Sequence, residues 1–193
     1  MIKRDSYLKA LIICHGKSEC ILCQSLKSNL RLPIEIISDN NGTKSIQITS
    51  ITKFLKRMDL KNIKQIKKNY KRINIDKKNY IKDFKIFIIM DLDEKELSEE
   101  DINNYKTKKM FKEFDYYDYI EPIYNDKNLD EVIESFGYKI DKKNKTFSYR
   151  KIFPGINGDM NSFKQIKECF SKTKKSNMII LLNYLEKCIY KYQ

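Results

Sequence analysis

The chain has 193 residues, a formal net charge of +13 and a single histidine. That length suits one domain with a real core, and no stretch approaches the roughly eighteen uncharged apolar residues of a membrane helix. The start, MIKRDSYLKALIIC, carries too short an apolar run for a signal peptide, so the expected compartment is the cytoplasm and no membrane partner is expected.

Leu8 to Cys14 reads as a first strand with apolar Leu11, Ile12 and Ile13. It breaks at His15-Gly16-Lys17-Ser18-Glu19, where Gly16 permits a tight turn and Ser18 is the expected N-cap of a helix. Ile21, Leu22, Leu26 and Leu30 mark one face of that helix, and Pro33 closes it. Free amides at such a helix start favour an anion. Five cysteines (Cys14, Cys20, Cys23, Cys169 and Cys188) are expected as reduced thiols. Cys20 and Cys23 form a CxxC near His15, which reads either as half-buried thiols on one helix face or as part of a zinc site; no second pair stands at zinc-ribbon spacing.

Ile34 to Ile37 make a second strand, and Ser38 to Gly42 a turn. Ile46 to Met58 fits a helix. The stretch from Lys56 to Lys82 is the most basic of the chain, and Leu60, Ile63, Ile66, Tyr70 and Ile73 give part of it a helical apolar period. Lys64, Lys67, Lys68, Lys71 and Arg72 are candidates for tracking phosphates, with Tyr70 and Tyr80 for stacking. The competing reading is a solvated face in a lysine-rich chain.

Lys85 to Asp91 is the clearest strand. Ile86 to Met90 are unbroken apolar residues, and the run ends in Asp91-Leu92-Asp93-Glu94. Two carboxylates at i, i+2 on a strand's carboxyl end suit a hard cation such as Mg²⁺. Ser98 is the expected cap of a helix over Glu99–Met110. Ile120 to Tyr124 is a fourth strand, with Pro122 arguing for an edge position. Leu129 to Phe136 is a helix closed by Gly137. Lys139 to Arg150 reads as a hairpin or extended pair, and helices over Phe163–Phe170 and Asn177–Tyr190 close the chain.

Strands alternating with helices predict an α/β fold, a mostly parallel Rossmann-like sheet of about four strands with helices on both faces and further C-terminal helices. The expected organisation is a domain over 1–137, with a basic helical insertion near 56–82, and an extension over 138–193 packed on it. Ligands bind at the carboxyl ends of such strands, so His15–Glu19 and Asp91/Asp93 are expected to converge.

Ile12-Ile13-Cys14-His15-Gly16-Lys17-Ser18-Glu19 and Ile88-Ile89-Met90-Asp91-Leu92-Asp93-Glu94 together resemble the two motifs of the TOPRIM domain, apolar-Glu-Gly-x-x-Asp/Glu and Asp-x-Asp at the end of a strand. The nearest likeness is to the RloB-like and OLD-type nuclease branch associated with phage defence and abortive infection. Asn125, Asn128 and Glu131 fit that branch's later Asn-rich segment and acid-bearing helix as supporting residues. The resemblance covers roughly the first 135 residues of the chain. It implies metal-dependent phosphodiester hydrolysis of RNA or DNA. Asp91, Asp93 and Glu94 would hold Mg²⁺ or Mn²⁺, His15 or Glu19 would move the proton, and Lys17 would contact phosphate. The implied partners are nucleic acid, a partner ATPase or other defence protein, and a second copy of the chain. His15 stands where the family has its glutamate. It can act as base or ligand, or mark a degenerate module that only binds nucleic acid or a partner. A nucleotide-sugar glycosyltransferase, whose Asp-x-Asp also ends a strand, is a further alternative.

Overall fold

The computed structural model describes residues 7–70, 72–78 and 80–190, apart from the side chain of Tyr190. Its centre is a four-stranded parallel sheet of β1 (Ala10–Cys14), β2 (Ile34–Ile37), β3 (Lys85–Asp91) and β4 (Ile120–Asn125), in the order β2-β1-β3-β4. The helices are α1 (Lys17–Leu30), α2 (Ile51–Arg57), α3 (Ile63–Asn69), α4 (Glu99–Lys106), α5 (Leu129–Glu134), α6 (Lys145–Ile152), α7 (Met160–Ser171) and α8 (Ile179–Tyr190).

The two central strands are apolar along nearly their whole length because both faces are covered. Alternation sends Ala10, Ile12, Cys14, Phe87 and Ile89 into one core, which α1, α5, α6, α7 and α8 complete. Leu11, Ile13, Ile86, Ile88 and Met90 enter the other, against α2, α3, α4 and the aromatic run Phe111, Phe114 and Tyr116. Residues after 137 thus share the first core with α1 rather than building one of their own.

Several elements differ from expectation. The cap of α1 is Gly16, not Ser18: the Glu19 carboxylate accepts the Gly16 N–H at 3.0 Å, so the helix begins at Lys17 and Ser18 is buried in its first turn. The helix expected over Ile46–Met58 is α-helical only from Ile51, after a 3₁₀ turn at Ile48–Ser50, because Gln47 is extended and the Ile48 amide is taken by Glu94. Thr107 ends the helix expected to reach Met110, and Lys109–Phe111 continues as a separate 3₁₀ turn. The largest departure is Lys139–Arg150, which forms no hairpin. Asp141 caps a 3₁₀ turn at Lys142–Asn144 that runs into α6, which packs beside α1 with Ser148 and Tyr149 buried. Among the described residues of the basic stretch, Lys56 and Arg57 end α2 and Ile63–Asn69 forms α3. Ile66 and Ile73 are buried, Tyr70 is half-buried and Tyr80 is 64% exposed.

Candidate active site

β1 and β3 lie side by side in register, with Cys14 opposite Ile89. Their carboxyl ends therefore deliver His15 and Asp91 to one place, and His15 Nε2 lies 4.0 Å from Asp91 Oδ2. His15 Nδ1 lies 2.7 Å from the Ile46 carbonyl, which accepts its proton, so Nε2 of the neutral ring is the free basic nitrogen. Asn125, at the end of β4, donates from Nδ2 to Asp91 Oδ1 at 2.8 Å. The Oδ1 atom of that fully buried amide has no partner among the described residues.

His15 and Asp91 open onto a cleft of about 280 Å³ lined by His15, Gly16, Lys17, Glu19, Asp91, Asp130 and Lys145 among others. Glu19 is 2% exposed and Asp91 6%. Burial pushes the Asp91 carboxyl up to about 8, with the nearby Glu19 carboxylate adding to the rise and the Asn125 hydrogen bond opposing it. Burial likewise raises Glu19, against the pull of His15 and Lys145. Two desolvated carboxylates thus share one cleft, and a positive charge placed there would relieve both.

The other expected site residues divide. Asp93 accepts the Asn128 amide at 2.8 Å, and Asn128 also caps α5 by accepting the Glu131 N–H. Glu131 pairs with Lys127 at 3.2 Å. Glu94 is turned back onto the Ile48 amide, with the Gln47 amide beside it once its orientation is set to donate. Asp93 and Glu94 thus hold loops, and neither lines the cleft. Among the described residues, no three His, Cys, Asp or Glu side chains stand together as a metal-holding group, the CxxC pair included. Cys14, Cys20 and Cys23 are free, buried thiols. Contact with Cys14 draws the Cys20 thiol down to about 7, and burial raises Cys14.

The basic stretch stands at the other end of the sheet. The Arg72 carbonyl accepts the Leu8 amide just before β1, Asp115 accepts the Ile63 amide, and Tyr119 Oη meets the Ile81 amide just before β4. Lys64, Lys68 and Arg72 are exposed and Lys67 is half-buried there; Lys71 lies outside the described residues. Two residues that the sequence reading passed over stand at the cleft instead. Lys145 reaches Asp130 at 2.8 Å, and Asp130 also accepts the Tyr149 hydroxyl at 2.7 Å. The signal for Lys145 was the spacing Tyr149, Ile152, Phe153, a helical period inside a segment otherwise too polar to stand out.

Fold and site define an α/β protein with an acidic cleft at the carboxyl ends of its two central strands. Compared with family models, curated proteins and solved structures, the chain gives no match.

Proposed function

We propose that this is a TOPRIM-like metal-dependent nuclease that hydrolyses phosphodiester bonds at the cleft between β1 and β3. The observation that carries this reading is the pair of buried carboxylates, Asp91 and Glu19, facing His15 at a carboxyl-end cleft with Lys17 and Lys145 on its wall. Mg²⁺ and Mn²⁺ suit such oxygens. Mg²⁺ commonly takes one or two protein carboxylates and fills its remaining positions with water and phosphate oxygens, so a donor set without three clustered ligands is compatible with it. Asp91 would hold the cation and Glu19 would add charge from the turn it closes, with Asn125 fixing the Asp91 carboxyl from behind. When bound, the cation would polarise the scissile phosphate and acidify a water. His15, its ring oriented by the Ile46 carbonyl, would take the water's proton at Nε2. Lys17 and Lys145 would offset phosphate charge.

The experiment is cleavage of labelled RNA and DNA, single- and double-stranded, with Mg²⁺ or Mn²⁺ and with EDTA. Metal-dependent products from the wild type, lost by at least a hundredfold in Asp91→Ala and His15→Ala, support the reading. Unbroken substrate under every condition overturns it. That outcome would leave a non-catalytic module of the same fold, the reading favoured by Asp93 and Glu94 being bound up in loop contacts. A role in phage defence rests on the sequence resemblance alone; plaque counts on cells carrying wild type or Asp91→Ala test it.

A further inference from the structure

α6 begins at the cleft, since Lys145 and Thr146 line it, and runs away from it beside α1. Ser25 and Ser28 in the body of α1 donate to the carbonyls of Pro154 and Gly155 just beyond its end. Its inner side is fixed: Ser148 and Tyr149 are buried, and Ile152 packs on the core. The outer side is unusual. Phe147, next in the chain to the cleft-lining Thr146, is 63% exposed, among the most exposed large hydrophobic residues described. Around it stand Lys142 and Lys143 from the preceding turn, with Arg150 and Lys151 at i+3 and i+4. All four are exposed and form no ion pair among the described residues. An aromatic ring held in water among unpaired cations at a cleft mouth answers no need of the core. Its chemistry is that of a stacking platform within a positive field.

We infer that the outer face of α6, with Phe147 at its centre, binds single-stranded nucleic acid and feeds it to the cleft. This rests on the hydrolytic reading of the cleft and names its substrate class. A single strand offers the ring an unstacked base, whereas a duplex keeps its bases paired and offers only backbone charge. Charge complementarity assigns the occupant: the four free cations suit phosphates, and a second copy of this cationic face would be repelled. The lysines of α3, at the far end of the sheet, are not part of this track.

The test is fluorescence anisotropy in EDTA, where no metal-dependent cleavage occurs. It uses labelled oligo-dT and oligo-rU of about 16 nucleotides, near the upper site size of a stacking groove, and a blunt duplex of equal length. The wild type should prefer the single strands. Phe147→Ala should weaken single-strand binding about tenfold and leave duplex binding within a factor of about two. Arg150→Gln with Lys151→Gln should lower the salt dependence by close to two phosphate contacts. Lys64→Gln with Lys68→Gln should change neither. Because Phe147 is exposed, its alanine variant should melt as the wild type does, and Phe147→Tyr should retain binding, which separates stacking from folding. Equal single-strand affinity in Phe147→Ala overturns the inference. So does sedimentation as a dimer that only Phe147→Ala dissolves, which would make the face a self-association surface. Phe147-dependent binding without cleavage would sink the hydrolase reading alone; cleavage with Phe147-independent binding would sink the track alone.

Discussion

At the residue scale the cleft stores an electrostatic cost. Asp91 titrates near 8 in the folded chain, against an ordinary carboxyl near 4, chiefly because it is buried and then because Glu19 is close. The folded state therefore holds a proton that the unfolded state releases between those values. Stability from this group is complete below about pH 4 and is lost as pH rises through about 8. Asp91→Asn removes the titration. In EDTA its melting temperature should match the wild type near pH 4 and exceed it at pH 8, by on the order of 5 kcal/mol in stability; parallel melting curves across that range would contradict the assignment. Millimolar Mg²⁺ at pH 8 should raise the wild-type melting temperature, by about 2.7 kcal/mol at a hundred times its dissociation constant, and leave Asp91→Asn unmoved. The residue that spoils activity most is thus expected to stabilise most when replaced, as befits a site kept for chemistry.

At the element scale the exposed edge of β4 shows how the sheet is closed. Strand pairing with β3 uses one side of β4. On the other side Pro122 has no N–H to offer, its carbonyl accepts the Asn177 amide at 3.0 Å, and the Tyr124 amide is capped by Asn177 Oδ1 at 2.7 Å. A proline, one side-chain amide and the backbone of residues 175–177, which bridges Asn125 through Ser176 and donates the Asn177 amide to the Tyr124 carbonyl, do what a fifth strand would do, and so blunt an edge that could pair with another chain. Asn177→Ala should cost about 1–3 kcal/mol, since it leaves half-buried backbone groups unpaired, and should speed aggregation on heating; light scattering and denaturant melts check both. On the inner side, Tyr105 of α4 places its hydroxyl 2.6 Å from the Ile88 carbonyl and 2.9 Å from that of Ile123, tying α4 across the seam of β3 and β4. Tyr105→Phe should destabilise by about 1 kcal/mol without changing nucleic-acid affinity.

For the molecule as a whole, acidic and basic groups are sorted by the ends of the sheet. The acidic cleft and the α6 face occupy the carboxyl ends, while the 61–82 stretch closes the amino ends. Net positive charge alone would make binding of polyanions weak and strongly salt-dependent anywhere on the surface; the proposed strand-binding face is confined to one end. The closing helices belong to the same body. Tyr149, Phe153, Phe163, Phe170, Leu181 and Leu185 fill the core that β1 and β3 form with α1. A chain ending at residue 137 should accordingly lose cooperative folding, seen as a sloping rather than sigmoidal thermal transition by circular dichroism. No described helix is long and apolar enough to cross a membrane.

Local chemistry settled much of this in advance. The runs Leu11–Ile13 and Ile86–Met90 are too apolar for anything but strands covered on both faces, Pro122 on its own pointed to an edge, and the turn after β1 together with Asp91 had to meet if the strands ran parallel. What sequence spacing could not decide was which acids remain free. Asp91, Asp93 and Glu94 are close neighbours in the chain. Yet Asp91 ends a strand and faces the cleft, whereas Asp93 and Glu94 follow its end and are taken by Asn128 and the Ile48 amide, groups distant in sequence. The role of residues 139–151 was likewise hidden. A polar segment becomes helical when a few side chains, Tyr149 above all, find a core supplied by other elements. Only that packing brings Lys145 to the acids and leaves Phe147 in water. Backbone preference is written locally; the freedom of a side chain to do chemistry depends on which distant groups have already claimed it.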